Sequence, residues 1–174
     1  MTPAKTTRGC RRLGTSLSLL LLASPCPALG AEGDQDQPVY LEADSVELDE
    51  ANSVSHYKGS VFVKQGTMEM EADEMTVHHY PDRRPKRIIA FGKPAKYRQD
   101  VDGEKEKVEA EALRMEYEAD VDEITLIDQA LLYQGKDTFR SDRIVYDRTN
   151  ERVKAGASVE GKERVKILIN PSQR

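Results

Sequence analysis

Apolar and polar residues alternate at period two along most of this chain. Val39, Leu41 and Ala43 fall on one side of a pleat, and Tyr40, Glu42 and Asp44 on the other. Met68, Met70 and Ala72 alternate with Glu69, Glu71 and Asp73 in the same way. The step returns at Tyr57/Gly59/Val61/Val63, Ala95/Tyr97, Val108/Ala110/Ala112, Ile124/Leu126 and Val165/Ile167/Ile169. It predicts strands with one dry and one wet face, a condition that antiparallel sheets tolerate. No apolar period of 3.6 persists beyond two turns. Only Glu104 to Tyr117 has a helix-favouring composition, and its alternation still predicts a strand. Turn-forming clusters fall between the runs: Asp49 to Asn52, Lys64 to Gly66, Asp82 to Pro85, Asp100 to Gly103, Asp120 to Glu123, Gln134-Gly135, Asp147 to Asn150 and Glu160-Gly161. Pro38 stands where a first strand opens and no ladder donor is needed. The chain is expected to be all-β.

The pattern also repeats at longer range. Glu42-Ala43-Asp44, Glu71-Ala72-Asp73 and Glu109-Ala110-Glu111 are each followed one residue later by an apolar–polar–apolar step, and Arg140-Ser141-Asp142 by Ile144-Val145-Tyr146. A second phrase closes each unit: Lys58-Gly59-Ser60, Phe91-Gly92-Lys93-Pro94-Ala95, Asp128-Gln129-Ala130 and Lys154-Ala155-Gly156-Ala157. Each unit reads as a strand, a turn and a returning strand, so a stack of antiparallel hairpins is expected.

The first thirty residues have a different character. Lys5, Arg8, Arg11 and Arg12 form a basic stretch, Leu13 to Ala23 an apolar one, and Ala28-Leu29-Gly30 a small-residue cleavage site. Residues 1–30 are therefore expected to be a cleaved secretory signal, too short for a mature membrane anchor. Residues 31–37 read as a flexible lead, 38–171 as one β-domain and 172–174 as a tail. Both cysteines, Cys10 and Cys26, lie in the removable segment, so the exported chain would hold neither a disulfide nor a thiolate. Its fold must rest on its core, which about 144 residues suffice to build. Removing four positive charges and no acid takes the net charge from −5 to −9, which disfavours a nucleic-acid partner. Within that acidic chain, Pro81 to Arg98 carries seven cations, among them Arg83, Arg84 and Lys86, against Asp82 alone. Two readings stand: a solvated hairpin edge, or a patch for anionic head groups.

Catalytic and metal chemistry find little footing. His56, His78 and His79 are the only histidines, and neighbours on a strand point to opposite faces. The acidic phrases recur at one place in every unit, as structure would, and lack the glycine-bearing loops of calcium repeats. Ser60 and Ser141 have no base in a recurring arrangement, and no Gly-rich phosphate loop exists. Neither metal nor other cofactor is expected, and the chain does not read as an enzyme.

Asp36 to Asp44, the run Tyr57-Lys58-Gly59-Ser60-Val61-Phe62-Val63-Lys64-Gln65-Gly66, Ala72-Asp73 and Gly92-Lys93-Pro94-Ala95 together resemble the LptA family of lipopolysaccharide-export proteins. The likeness runs from about Asp36 to Pro171. It implies an OstA-like twisted open β-jellyroll with a greasy interior groove, in the periplasm. It implies head-to-tail assembly into a bridge between an inner-membrane export complex with an LptC-like partner and an LptD-like outer-membrane translocon. Lipopolysaccharide acyl chains would contact inward-facing apolar residues: Val39, Leu41, Tyr97 and Tyr117, and on the same faces Val61, Val63, Met70, Met75, Val77 and Met115. Where the family pattern can carry a cation near the head groups this chain has His78-His79, so Arg83, Arg84 and Lys86 become the head-group candidates.

The alternatives are a sibling component of the same export path, a secreted carbohydrate-active or carbohydrate-binding β-repeat protein, and a purely structural filament. Three Phe and no Trp offer a poor platform for sugars. Chaining itself would use the alternating end strands, Val39 to Ala43 and Arg164 to Asn170, by strand addition.

Overall fold

The computed structural model describes residues 34, 37–101, 106–156 and 164–170. The expected signal, most of the lead at 31–37 and the 172–174 tail lie outside them. The described residues belong to the compact unit Glu32–Arg174, and ten strands make one antiparallel sheet. They are β1 (Val39–Glu42), β2 (Ser45–Asp49), β3 (Val54–Gln65), β4 (Met68–His79), β5 (Pro85–Val101), β6 (Glu106–Glu118), β7 (Glu123–Gln134), β8 (Asp137–Asp147), β9 (Arg152–Gly156) and β10 (Lys166–Leu168). The order is β1-β3-β4-β5-β6-β7-β8-β10, with β2 also on β3 and β9 also on β8. Each edge is thus one interrupted strand, β1/β2 on one side and β9/β10 on the other. Glu106–Glu118 is a strand, as its alternation requires, despite its helix-favouring composition.

A line of corners crosses the sheet. Register shifts fall at Lys58/Val61, Glu71/Glu74, Phe91/Ala95, Glu111/Arg114 and Ile127/Ala130 on successive strand pairs, with a further one at His78/His79 near the β4–β5 tip. Two devices make them. On β3 and β7, paired positive-φ residues turn the backbone: Gly59 and Ser60, then Asp128 and Gln129. On β4 the inward parity slips by one residue, from Met70 to Met75, and on β8 from Ser141 to Ile144. Such a slip is what a bulge supplies, and it keeps the dry side dry beyond the corner. Gly59 is needed at its corner twice over. Its φ is +79°, and an added Cβ would lie 2.1 Å from the Asp44 carboxylate.

The corners explain the core. Ala90, Leu126 and Ile144 lie on one side of the line, and Ala95, Ala112 and Ala130 on the other; all are fully buried in one cluster. Only one sheet is present among the described residues, so each half of it covers the other. Small buried side chains (Ala95, Ala112, Ala130 and Ser141) stand next to the corners. The basic run is divided: Arg83 and Arg84 stand exposed on the β4–β5 hairpin tip, and the rest lies on β5, a central strand. Arg87 reaches Glu116 at 2.7 Å and Glu118 at 2.8 Å, Arg98 pairs with Glu69, and Lys96 stands opposite Glu71 and Glu111. Cross-strand pairs of opposite charge typically contribute about 0.2–1 kcal/mol each.

An apolar trough as the candidate functional site

Where the two halves of the sheet diverge they leave a trough of about 970 Å³. That is near the upper end of the roughly 300–1,000 Å³ that ligand pockets span. Its apolar lining comes from β1 (Val39), β3 (Val63), β4 (Met68, Met70), β5 (Ile88, Tyr97), β6 (Tyr117) and β7 (Ile124). Alternation puts these side chains on the inner face, and β1 pairs only with β3, which leaves its outer edge open. Val39 remains 55% exposed, so dry wall reaches the solvent there. Hairpin tips supply polar lining: Tyr80, Asp82, Arg83, Arg84, Asp120, Asp122, Arg148 and Thr149.

Not every expected contact residue stands on this surface. Val39, Val63, Met70, Tyr97 and Tyr117 line the trough together. Val61, Met75, Val77 and Met115 are buried in the core cluster and do not border that volume, and Leu41 packs against the cluster from β1. Arg83 and Arg84 line the trough, whereas Lys86 borders a neighbouring recess with His78, His79, Arg87 and Glu118. Arg84 and Lys86 both stack on Tyr80, 5.6 and 5.8 Å from its ring centre, and Tyr80 donates its hydroxyl proton to Asp120 on the next tip. The basic tip is thereby tied to the β6–β7 tip. Arg83 reaches Glu50 at 3.2 Å, but both are well exposed, so that pair adds little.

Two polar clusters escaped the reading of motifs. Asp122, at the β6–β7 tip with φ +49°, accepts from Arg148 Nη1 at 3.1 Å, Tyr117 Oη at 3.2 Å and Thr149 Oγ1 at 3.1 Å. Arg148 also lies over the Tyr117 ring, 5.6 Å from its centre. Burial pushes the phenols of Tyr97, Tyr117 and Tyr146 upward, so all three stay neutral donors. The second cluster joins β3 to β4. His79 Nδ1 donates to the Arg83 carbonyl at 3.2 Å, and its Nε2 is hydrogen-bonded to the buried Ser55 hydroxyl at 2.9 Å. Ser55 and His79 are 24 residues apart, and no local motif marks the pair. Among the described residues, no three His, Cys, Asp or Glu side chains are grouped to hold a metal ion.

Known proteins share this architecture. The family profile described as LptA/(LptD N-terminal domain) LPS transport protein matches residues 40–152. The chain is 36% identical over 162 residues to the lipopolysaccharide export system protein LptA of Escherichia coli K12, covering 92% of this chain and 86% of that one. It is 31% identical over 152 residues to LptH of Pseudomonas aeruginosa, covering 84% and 87%. The crystal structure of LptH, described as the LptA homologous periplasmic component of a lipopolysaccharide transport device, superposes with a TM-score of 0.73. That superposition covers 79% of this chain and 99% of LptH, at 31% identity.

Proposed function

Because the chain belongs to the LptA/(LptD N-terminal domain) family of LPS transport proteins, we propose that it is a periplasmic carrier of lipopolysaccharide. It holds acyl chains in the trough and catalyses no reaction on them. The single observation that carries this reading is the trough itself, about 970 Å³ walled by Val63, Met70, Ile88, Tyr97 and Ile124 and open beside β1. Each methylene that leaves water for such a wall gains about 0.8 kcal/mol, so a chain of a dozen carbons supplies ample driving force. Val39, Leu41, Tyr97 and Tyr117 are the proposed lipid contacts, with Val63 and Met70 on the same wall. Arg83 and Arg84 are placed to meet anionic head groups, and Lys86 stands beside them.

The two sheet edges suit head-to-tail assembly. One edge exposes Val46 and Leu48 on β2 beside Val39 on β1; the other exposes Ile167, Leu168 and Ile169 at β10. Unpaired apolar edges are normally avoided, and strand addition between copies would cover both. The same edges would serve an LptC-like partner at one membrane and an LptD-like partner at the other. A signal cleaved near residue 30 would deliver the chain to the periplasm.

Equilibrium binding of lipopolysaccharide to Val39→Asp tests the carrier reading, with Tyr40→Asp on the opposite face as control. Weaker binding in the first alone is expected. Equal binding by both variants, each with an intact β-type circular dichroism spectrum, contradicts it.

A further inference from the structure

The trough is not wholly apolar, and its most buried cation is not one of the candidate head-group residues. Arg148 follows directly on β8 and lines the trough with Tyr97, Tyr117, Asp122 and Thr149. Its side chain is 15% exposed, against 81% for Arg83 and 76% for Arg84. A guanidinium carries five N–H donors and stays protonated. Nη1 is committed to Asp122 at 3.1 Å, but Asp122 also takes the Tyr117 and Thr149 hydroxyls. Arg148 Nε is buried and has no hydrogen-bond partner among the described residues. Arg87 and Arg114 also have a buried Nε, but Arg87 Nε lies 2.8 Å from Glu118, both side chains pair with Glu116 and are 40% and 38% exposed, and neither lines the trough. The Arg148 Nε is sealed from the trough, so what that side chain can offer there are its Nη donors beyond the bond to Asp122, on a largely apolar wall where an occupant can supply the acceptor.

We propose that Arg148 is a polar recognition point inside the trough, donating a hydrogen bond to the carbonyl oxygen of an acyl ester or amide whose hydrocarbon lies against Val63, Met70 and Ile124. This rests on the carrier reading and deepens it. The occupant's acceptor is a neutral carbonyl rather than a phosphate. Asp122 already balances the guanidinium, and a second anion would meet that carboxylate in a poorly hydrated place. An acyl chain brings its own carbonyl at one end, so a fixed donor also fixes how far the chain slides in. The apolar wall alone cannot set that register, because dispersion and burial are indifferent to position along a uniform chain.

The test is infrared spectroscopy of the purified protein loaded with lipid A, or with a diacyl phospholipid, each labelled with ¹³C at the acyl carbonyl. In the wild type a labelled band is expected below its frequency in alkane, as hydrogen bonding requires. In Arg148→Met that band returns to the alkane position, and affinity falls about tenfold, the equivalent of one ordinary hydrogen bond. A shift with lipid A alone means that the point also selects its lipid; a shift with both means that it reads any acyl carbonyl. An alkane-like band in the lipid-loaded wild type overturns the proposal, as does a shifted band that Arg148→Met leaves unchanged. If Arg148→Met does not fold, Arg148→Lys keeps the charge but moves the donors, and an unchanged band there overturns it equally. Failure of the wild type to hold either lipid sinks the carrier reading as well; lipid held with an unshifted band sinks this inference alone.

Discussion

Replacing Asp122 by alanine removes one carboxylate and strands three donors. Tyr117 and Thr149 can turn to water at the open side of the trough. Arg148 cannot: its side chain is 15% exposed and that of Asp122 19%. Breaking a buried pair by deleting one partner costs about 3–5 kcal/mol, and partial exposure of this pair puts it at the lower end, about 3 kcal/mol. Asp122 also has φ +49°, a left-handed conformation that costs alanine about 1 kcal/mol more than glycine. Asp122→Ala should therefore lose about 3–4 kcal/mol, and Asp122→Gly about 1 less. Adding Arg148→Met to Asp122→Ala should recover part of the loss, since no unpaired buried charge remains. Urea unfolding followed by far-ultraviolet circular dichroism reads this directly. With a slope of about 1–3 kcal/mol per molar urea, the midpoint of Asp122→Ala should drop by at least about 1 M. A loss below about 1 kcal/mol, or a double variant less stable than Asp122→Ala, would refute the reasoning.

Ala130 is fully buried at a corner where the halves of the sheet meet; Ala130→Leu should cost about 1–3 kcal/mol by overpacking, measured by the same unfolding curve. Acid should destabilise the protein. Asp147 is held below its ordinary range by the Asn150 side chain and amide, Asp49 likewise by Asn52, and at Asp34 bonds from Thr67 and Gln99 outweigh burial. Each folded value lies under the unfolded one, so their contribution is present above about pH 4 and is lost as pH falls through the folded values; a stability rising on acidification from pH 5 to 3 would oppose this. Ile167, exposed on the β10 edge, is expected to support copy-to-copy addition, so Ile167→Lys should lower the concentration-dependent mass seen by light scattering.

Alternation made the strands legible, and turn residues made the hairpins legible; Asp49–Asn52 and Asp147–Asn150 bracket two tips, each with its side-chain bond. The corners were not legible as corners. Glu71-Ala72-Asp73 and Arg140-Ser141-Asp142 looked like repeat punctuation, but they are where β4 and β8 slip parity and the sheet folds over. A period-two pattern cannot announce that, because a one-residue slip resembles the end of a strand. Nor can it separate a face that is dry from packing from one that is dry from lining a trough. Met75, Val77 and Met115 therefore read like Met70, although only Met70 borders the cavity. Arg148 was hidden for another reason. It sits in a polar turn cluster, and only the tertiary approach of the β6–β7 tip buries it. The last strand is shorter than its alternation suggested, Lys166–Leu168 opposite Thr138–Arg140.

The central claim, that lipopolysaccharide chains travel in this trough, is tested most directly by site-specific photo-crosslinking in living cells. Probes at Val39, Met70 and Tyr97 face the cavity, and probes at Tyr40, Glu69 and Tyr133 face away from it. Lipopolysaccharide adducts at the first three and none at the second three is the predicted result. Adducts spread equally over both sets, or absent from both, would contradict the account.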